Sequence, residues 1–221
     1  MLEPPLWEQH ADWWQREFTD GADAEYQEQI IPLATDMLAG RDRIIDIGAG
    51  EGQIARRLMP AAGGDADLVV GVDPTAAQTS VAAERGGGPL YLRADAGRLP
   101  VADAAFDAAL ACLVFEHIND MDVAMGEVAR VLRPGGRFVF MLNHPLIQTP
   151  DAGWVDDHFL DPPERYWRIG AYLTETETVE EVQKACSFRS FIDRSAGTST
   201  QCSTPASSCA GCLNRAHPKR S

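Results

Sequence analysis

The feature that constrains this chain most is the stretch from Arg43 to Gln53, which joins an apolar run to a glycine-rich turn. Isoleucines fill most of its first half, and β-branched side chains favour a strand that is buried on both faces. Glycines follow at the alternate positions 48, 50 and 52, where a positive φ and close approach of a ligand are possible. An amphipathic run from Ile54 predicts a helix whose free N–H groups face the turn. The stretch therefore predicts the strand, turn and helix of a nucleotide-binding α/β fold.

The spacing of the glycines indicates which ligand this turn binds. The dinucleotide fingerprint G-x-G-x-x-G requires a glycine where this chain has Gln53. The pattern present is D-x-G-x-G-x-G, and it resembles motif I of the class I S-adenosylmethionine (SAM) methyltransferases. SAM carries two cationic groups, a sulfonium and an ammonium, which suit the acids Asp46 and Glu51 better than a pyrophosphate does. The resemblance implies a cofactor site that includes Asp46, Gly48, Gly50 and Gly52.

Two further acids follow the next two apolar runs. The second run, residues 68–73, ends at Asp73, about 20 residues after the glycine turn, where folds of this kind place a ribose-binding acid. We expect this carboxylate to accept hydrogen bonds from both ribose hydroxyls. The third run, residues 90–92, precedes Asp95 and Ala96. The family resemblance implies that Asp95 binds the adenine amino group and that the backbone of Ala96 contacts the ring.

Two histidines are candidates for assisting the methyl acceptor. Residues 106–114 form a fourth predicted strand, and ligands of open α/β sheets bind at the carboxyl ends of the strands. Val114 is thereby assigned to the cofactor site, and His117 lies near the methyl donor, where its near-neutral pKa suits a base. A structural role for His117 before the next helix is the open alternative. His144 follows the fifth predicted strand and competes for the role of base.

The sequence L-R-P-G-G at residues 132–136 is typical of the same family, and of its type 11 group, which is ubiquinone and biotin methyltransferase-like. We expect Pro134 to end a helix and the two glycines to form a tight turn before strand five. Residues 43–142 therefore carry four motifs in the family's order. They imply a Rossmann-like, doubly wound and mostly parallel sheet that lacks the last two strands of the family sheet.

Four regions are predicted along the chain. Residues 1–40 form a helical lid, residues 41–145 the SAM-binding core, and residues 146–185 an aromatic insert that covers the substrate. Packing against the sheet is the alternative for the aromatic side chains of the lid and the insert. Residues 186–221 form an atypical tail.

The composition of this tail departs from that of the preceding chain. Serine occurs once before position 187, at Ser80, and repeatedly afterwards, and four of the five cysteines lie in the tail. We interpret the tail as disordered or as the product of a reading-frame shift near residue 183, and we expect it to contribute no strand. A zinc site is the alternative, and its ligands would be Cys202, Cys209, Cys212 and His217.

Charge and hydropathy exclude several classes of function. The net charge of −14 disfavours binding to nucleic acid phosphates, and no run of about 18 apolar residues predicts a membrane span. The first residues lack a basic and then apolar signal, so a cytoplasmic location is expected. The resulting interpretation is methyl transfer from SAM to an O, N or C atom of a small molecule. The alternatives are a catalytically impaired SAM-binding protein and an NAD(P)-dependent oxidoreductase.

Overall fold

The computed structural model describes residues 6–144, 149–171, 176–183 and 186–192. Five parallel strands form the central sheet in the order β3-β2-β1-β4-β5. They are β1 (Arg43–Ile47), β2 (Leu68–Asp73), β3 (Leu90–Arg93), β4 (Phe106–Cys112) and β5 (Leu132–Met141). The strand order reverses between β1 and β4, so the predicted doubly wound sheet is confirmed.

Helices cover both faces of this sheet. They are α1 (Leu6–Phe18), α2 (Ile31–Leu38), α3 (Gln53–Arg57), α4 (Ala76–Arg85) and α5 (Met121–Val131), with a π-helical turn at Tyr26–Ile30 and 3-10 turns at Pro60–Ala62 and Phe115–His117. Pro32 lies in the first turn of α2, directly after the π-helical turn. The predicted interruption at Pro32 is therefore a change from π-helix to α-helix. None of the helices in the described part of the chain is both long and apolar enough to cross a membrane.

The two faces of β1 belong to two hydrophobic clusters. Ile44 packs into the cluster that contains Leu38 of α2, and Ile45 into the one that contains Val128 of α5. All four of these side chains are buried. Because both faces of the strand are covered by helices, an almost continuous apolar run is what this position requires.

The turn at residues 132–136 lies within β5 rather than before it. Helix α5 ends at Val131, so it stops before the predicted end at Pro134. Leu132 pairs with Phe106 and Arg137 pairs with Ala108, so residues 133–136 form a bulge between these two pairs. Gly135 has a φ of +78°, a conformation that favours glycine.

Two antiparallel hairpins follow the central sheet. Strand β6 (Gly153–Asp157) pairs with β7 (Glu164–Arg168), and β8 (Thr176–Gln183) pairs with β9 (Cys186–Ile192). The prediction that the chain forms no strand beyond residue 186 is therefore wrong. A hairpin satisfies its backbone hydrogen bonds by local pairing, so β9 did not need the long apolar face that joining the central sheet requires. The sheet itself has five strands within the described residues, as predicted, and the proposed zinc ligands lie outside them.

Candidate functional site

A cavity of about 680 Å³ lies at the carboxyl ends of β1, β2 and β4. This is the point where the strand order reverses, and it is the place where doubly wound sheets bind their ligands. Its volume is within the range of small-molecule sites. All but two of the predicted site residues line this cavity: Asp46, Gly48, Gly50, Asp73, Asp95, Ala96, Val114 and His117. The two exceptions are Gly52 and His144.

The glycine turn wraps the end of β2. The N–H groups of Gly48 and Ala49 both donate to the carbonyl oxygen of Val72, at 2.7 and 3.1 Å. A Cβ atom at position 48 would lie 2.2 Å from Cγ2 of Val114, so only glycine fits there. At Gly50 no protein atom lies within 4 Å of the corresponding position. The turn therefore packs against the protein at Gly48 and leaves room for a ligand at Gly50.

The third glycine of the motif serves the packing of the turn. Gly52 has a φ of +81°, and a Cβ atom there would lie 2.2 Å from the hydroxyl oxygen of Tyr91 on β3. It directly precedes α3 and is not among the residues that line the cavity. Its requirement for glycine thus comes from a neighbouring strand, whereas the sequence pattern predicted a contact with the cofactor.

Asp73 fixes the shape of the site at the end of β2. Its Oδ2 atom accepts a hydrogen bond from the N–H of Gly50 at 2.9 Å, and Oδ1 accepts one from the N–H of Thr75 at 2.8 Å. The side chain is buried, and burial raises its pKa above the usual value although these hydrogen bonds lower it. Each carboxylate oxygen has further lone pairs, so the same group can also accept from a ribose diol.

Asp46, at the end of β1, is an acid in an environment that disfavours negative charge. Burial, and to a smaller extent the neighbouring Asp73, raise the pKa of Asp46 to about 8. Burial also raises the pKa values of Tyr26 and Cys112, and the negative charge of Asp46 contributes to both shifts. A cationic ligand in the cavity would stabilise the ionised form of Asp46.

The adenine side of the predicted site lies after β3. Oδ1 of Asp95 accepts a hydrogen bond from the N–H of Gly97 at 2.7 Å, which holds the side chain at the edge of the cavity. Ala96 and Arg98 line the same edge. The second oxygen of Asp95 is the one suited to an amino group of the ligand.

The structure separates the two candidate histidines. His117 lines the cavity in the 3-10 turn after β4, and its ring lies 4.9 Å from the ring of Trp7, edge to face. His144 follows the end of β5 and does not line the cavity. Next to it, Asn143 donates a hydrogen bond to Oε1 of Glu116, a buried acid, at 3.4 Å. The geometry therefore favours His117 over His144 as a group near the methyl acceptor.

Helix α1 contributes to the site beyond what the sequence indicated. Trp7 and Trp14 line the cavity, and their rings are 5.4 Å apart, edge to face. The carboxylate of Glu8 accepts hydrogen bonds from the N–H groups of Ala76 and Ala77, at 2.7 and 3.0 Å, at the start of α4. The tryptophans of α1 were visible in the sequence, but the contact of Glu8 spans 68 residues of chain and no local pattern indicates it.

A buried ion network holds the side chain of Glu51 in the glycine turn. Glu51 is 1% exposed, and its Oε2 atom contacts Arg56 at 2.5 Å and Arg85 at 2.6 Å. Arg56 also donates to the backbone carbonyl of Glu51. Glu51 also lines the cavity, and its Oε1 atom is buried without a hydrogen-bond partner, so its predicted role beside a cation of the cofactor stays a prediction.

Residues 149–171, the part of the aromatic insert whose side chains are described, do not line the cavity. The large side chains of this hairpin are exposed to solvent, among them Trp154 (54%) and Phe159 (102%). Arg165 lies over the ring of Trp154, 5.1 Å from its centroid. The role of residues 146–185 as a substrate cover stays a prediction.

Comparison with known proteins agrees with this geometry. A family model described as a methyltransferase domain matches residues 45–140. A demethylmenaquinone methyltransferase of Thermus thermophilus is 36% identical over 125 residues, which cover 55% of each protein. A 27-O-demethylrifamycin SV methyltransferase of Amycolatopsis mediterranei is 31% identical over 168 residues, 71% of this chain and 58% of that protein. The chain spans about half the length of the curated relatives it matches.

Solved structures show the same fold. The crystal structure of an S-adenosylmethionine-dependent methyltransferase from Mesorhizobium loti aligns with a TM-score of 0.57 and 30% identity, over 70% of this chain and 68% of the other. The alignment therefore extends well beyond the 45–140 core that the family model matches.

Proposed function

Because the chain belongs to the class I SAM-dependent methyltransferases, we propose that it transfers the methyl group of SAM to a small-molecule acceptor. The observation that supports this most directly is the cavity at the strand-order switch point, which the glycine turn, Asp73 and Asp95 all line. These groups match, in their order along the chain, the groups predicted to hold the methionine, ribose and adenine parts of the cofactor.

The charges around the cavity suit SAM better than a dinucleotide. Asp46, Asp73 and Asp95 line the wall, and a pyrophosphate beside these acids would be repelled. The sulfonium and ammonium groups of SAM would be attracted, and they would favour the ionised form of Asp46. This argues against the NAD(P)-dependent oxidoreductase alternative.

Methyl transfer is an in-line displacement at the methyl carbon. A bond forms between the acceptor atom and the methyl carbon while the bond from that carbon to the sulfonium sulfur breaks, and its electron pair stays on sulfur. The protein's contribution is to hold the acceptor and the methyl in line, about 3 Å apart. His117 is placed to orient the acceptor or to take its proton, and His144 is the weaker candidate for that role.

The far side of the cavity favours an acceptor with a flat apolar part. Trp7, Trp14 and Tyr26 line it beside His117. Aromatic walls of this kind bind planar rings through offset and edge-to-face contacts. The names of the two relatives refer to a menaquinone and to a rifamycin, which fits a small-molecule acceptor. We also retain residues 1–40 as a lid, and a cytoplasmic location, as parts of this proposal.

Calorimetric titration with S-adenosylhomocysteine (SAH) and with NADH tests the cofactor. SAH should bind with micromolar affinity and NADH should not bind. Binding of NADH in preference to SAH would contradict the proposal. Incubation with SAM and a panel of hydroxylated aromatic acceptors then distinguishes an active enzyme from the remaining alternative, a catalytically impaired SAM-binding protein, because the latter binds SAH and forms no SAH from SAM.

A further inference from the structure

The first turn of helix α1 contacts two elements at the edge of the cavity. At one side, the ring of Trp7 contacts His117 in the turn after β4. At the other side, Glu8 contacts the start of α4, which follows β2. Trp7 and Glu8 are adjacent, so the first turn of α1 joins these two elements, and the side chains of Trp7 and Trp14 line the cavity.

The contacts with α4 hold the first and the third turn of α1. Both oxygens of Glu8 accept hydrogen bonds from backbone N–H groups in the first turn of α4, which have no partner within their own helix. A carboxylate at this position also interacts favourably with the helix dipole. Two turns further along α1, the side chain of Gln15 donates to the side chain of Gln78 on α4 at 2.9 Å.

The segment after α1 is fixed at the other end of α4. Arg85 donates to Oγ1 of Thr19 at 3.3 Å and contacts Asp20 at 2.9 Å. The same guanidinium contacts the buried Glu51 of the glycine turn at 2.6 Å. The side chain of Arg85 thus connects the segment directly after α1 to the glycine turn.

We propose that these contacts form a latch that holds α1 closed over the cavity, and that opening of this latch sets the rates at which the cofactor enters and leaves. The inference rests on the proposed function for the identity of the ligand. Glu8, Ala76 and Ala77 are not among the described residues that line the cavity, so the contacts of Glu8 stabilise the closed form equally with and without ligand. Weakening them therefore speeds association and dissociation by the same factor and leaves the dissociation constant unchanged.

Stopped-flow tryptophan fluorescence with SAH measures both rates, and the test variant is Glu8→Ala. Association and dissociation should each become at least about 10-fold faster, because Glu8 accepts two charge-assisted hydrogen bonds and a 10-fold effect is the lower limit expected for one of them. Gln15→Leu should change both rates in the same direction by a smaller factor. The matched control is Glu17→Ala, on the same helix, because the ion pair of Glu17 is with its neighbour Arg16 at 3.9 Å.

Hydrogen exchange of residues 6–18 without ligand gives a second readout that does not depend on the cofactor. Glu8→Ala should lower the protection of this segment, and Glu17→Ala should not. Unchanged protection would overturn the latch, whether or not SAH binds. Faster dissociation with unchanged association would also overturn it, because Glu8 would then only support the shape of the cavity. If the unaltered chain does not bind SAH, the proposed function fails, and exchange alone decides the latch.

Discussion

At the scale of single residues, neighbouring glycines of the turn have different surroundings and different expected roles. Gly48 is enclosed by Val114, whereas the space beside Gly50 is empty. The same chemical change should therefore damage the fold at one position and ligand binding at the other. Asp73 combines the two roles, because its carboxylate accepts hydrogen bonds from the backbone and also lines the cavity.

Gly50→Val is expected to abolish SAH binding while the protein stays folded. The added side chain fills the open space beside the turn and meets no protein atom near its Cβ, although the φ of +55° adds some strain. Gly48→Ala is the contrasting variant, and it should lower the melting temperature because its Cβ overlaps Val114. Calorimetry with SAH and thermal denaturation measure the two effects. A folded Gly50→Val protein with undiminished affinity would show that the cofactor does not lie here.

Asp73→Ala is expected to weaken SAH binding by roughly 10- to 150-fold, or about 1.5–3 kcal/mol, because a charged acceptor of ribose hydroxyls is lost. It should also lower stability, since the N–H groups of Gly50 and Thr75 lose their acceptor. Asp95→Ala should have a smaller effect on affinity, because an adenine amino group makes a single contact. Calorimetry on both variants checks this order, and Asp73→Ala affinity within twofold of the parent would rule out the ribose contact.

At the scale of elements, α1 is held from two directions. It contacts α4 through Glu8 and Gln15, and strand β9 lies close to both α1 and the 3-10 turn at Phe115–His117. The β8–β9 hairpin thus contributes to the placement of the lid although it is separate from the central sheet.

A chain that ends at residue 185 is expected to keep the five-stranded sheet and to lose protection in α1. Strand β9 would be absent, and β8 would lose its pairing partner. The melting temperature should change little, because β8 and β9 pair with each other and not with a strand of the central sheet. Hydrogen exchange of residues 6–18 and of β1 compares the two regions. Equal protection of α1 in both chain lengths would mean that the hairpin does not support the lid.

At the scale of the whole molecule, the buried acids of the site link stability to pH. In the folded chain Asp46 has a pKa of about 8, against an ordinary value of 3.8. Between these values the folded state binds a proton that the unfolded state has lost, so the free energy of unfolding decreases as the pH rises. Asp73, whose pKa is also raised, acts in the same direction. Glu127 has a pKa of about 2 beside Arg130, so its stabilising effect is already complete above pH 5.

We therefore expect the ligand-free protein to be less stable at pH 8 than at pH 5, and Asp46→Asn to remove most of this difference. One carboxyl group contributes a slope of at most about 1.4 kcal/mol per pH unit. Urea denaturation at several pH values measures it. Asp107→Asn is a control, because that acid is half-buried at the opposite end of β4. A stability that rises from pH 5 to 8 in the parent would contradict the expectation.

Local sequence patterns determined the order of the elements of the central sheet and the positions of the glycines and acids that line the cavity. The isoleucines of β1, the glycine turn and the acids that end or follow β2 and β3 are encoded within a few residues each, because strand burial, positive φ and strand ends depend on local chemistry. The position of the sheet edge was also readable, since no further long apolar strand follows β5. The β9 hairpin was missed because local pairing requires no apolar run.

The tertiary structure alone decided which partners the polar groups have. The sequence showed Glu51 as an acid of the glycine turn, and only the fold showed that Arg56 and Arg85 approach its carboxylate from two helices. Glu8 has no distinguishing pattern in the sequence, yet in the fold its carboxylate accepts a hydrogen bond from the N-terminus of α4, 68 residues away along the chain. Hydrogen bonds, ion pairs and desolvation act through space, whereas sequence patterns report only neighbours along the chain. The family and its site were therefore determined by the sequence, and the enclosure of that site was decided by the fold.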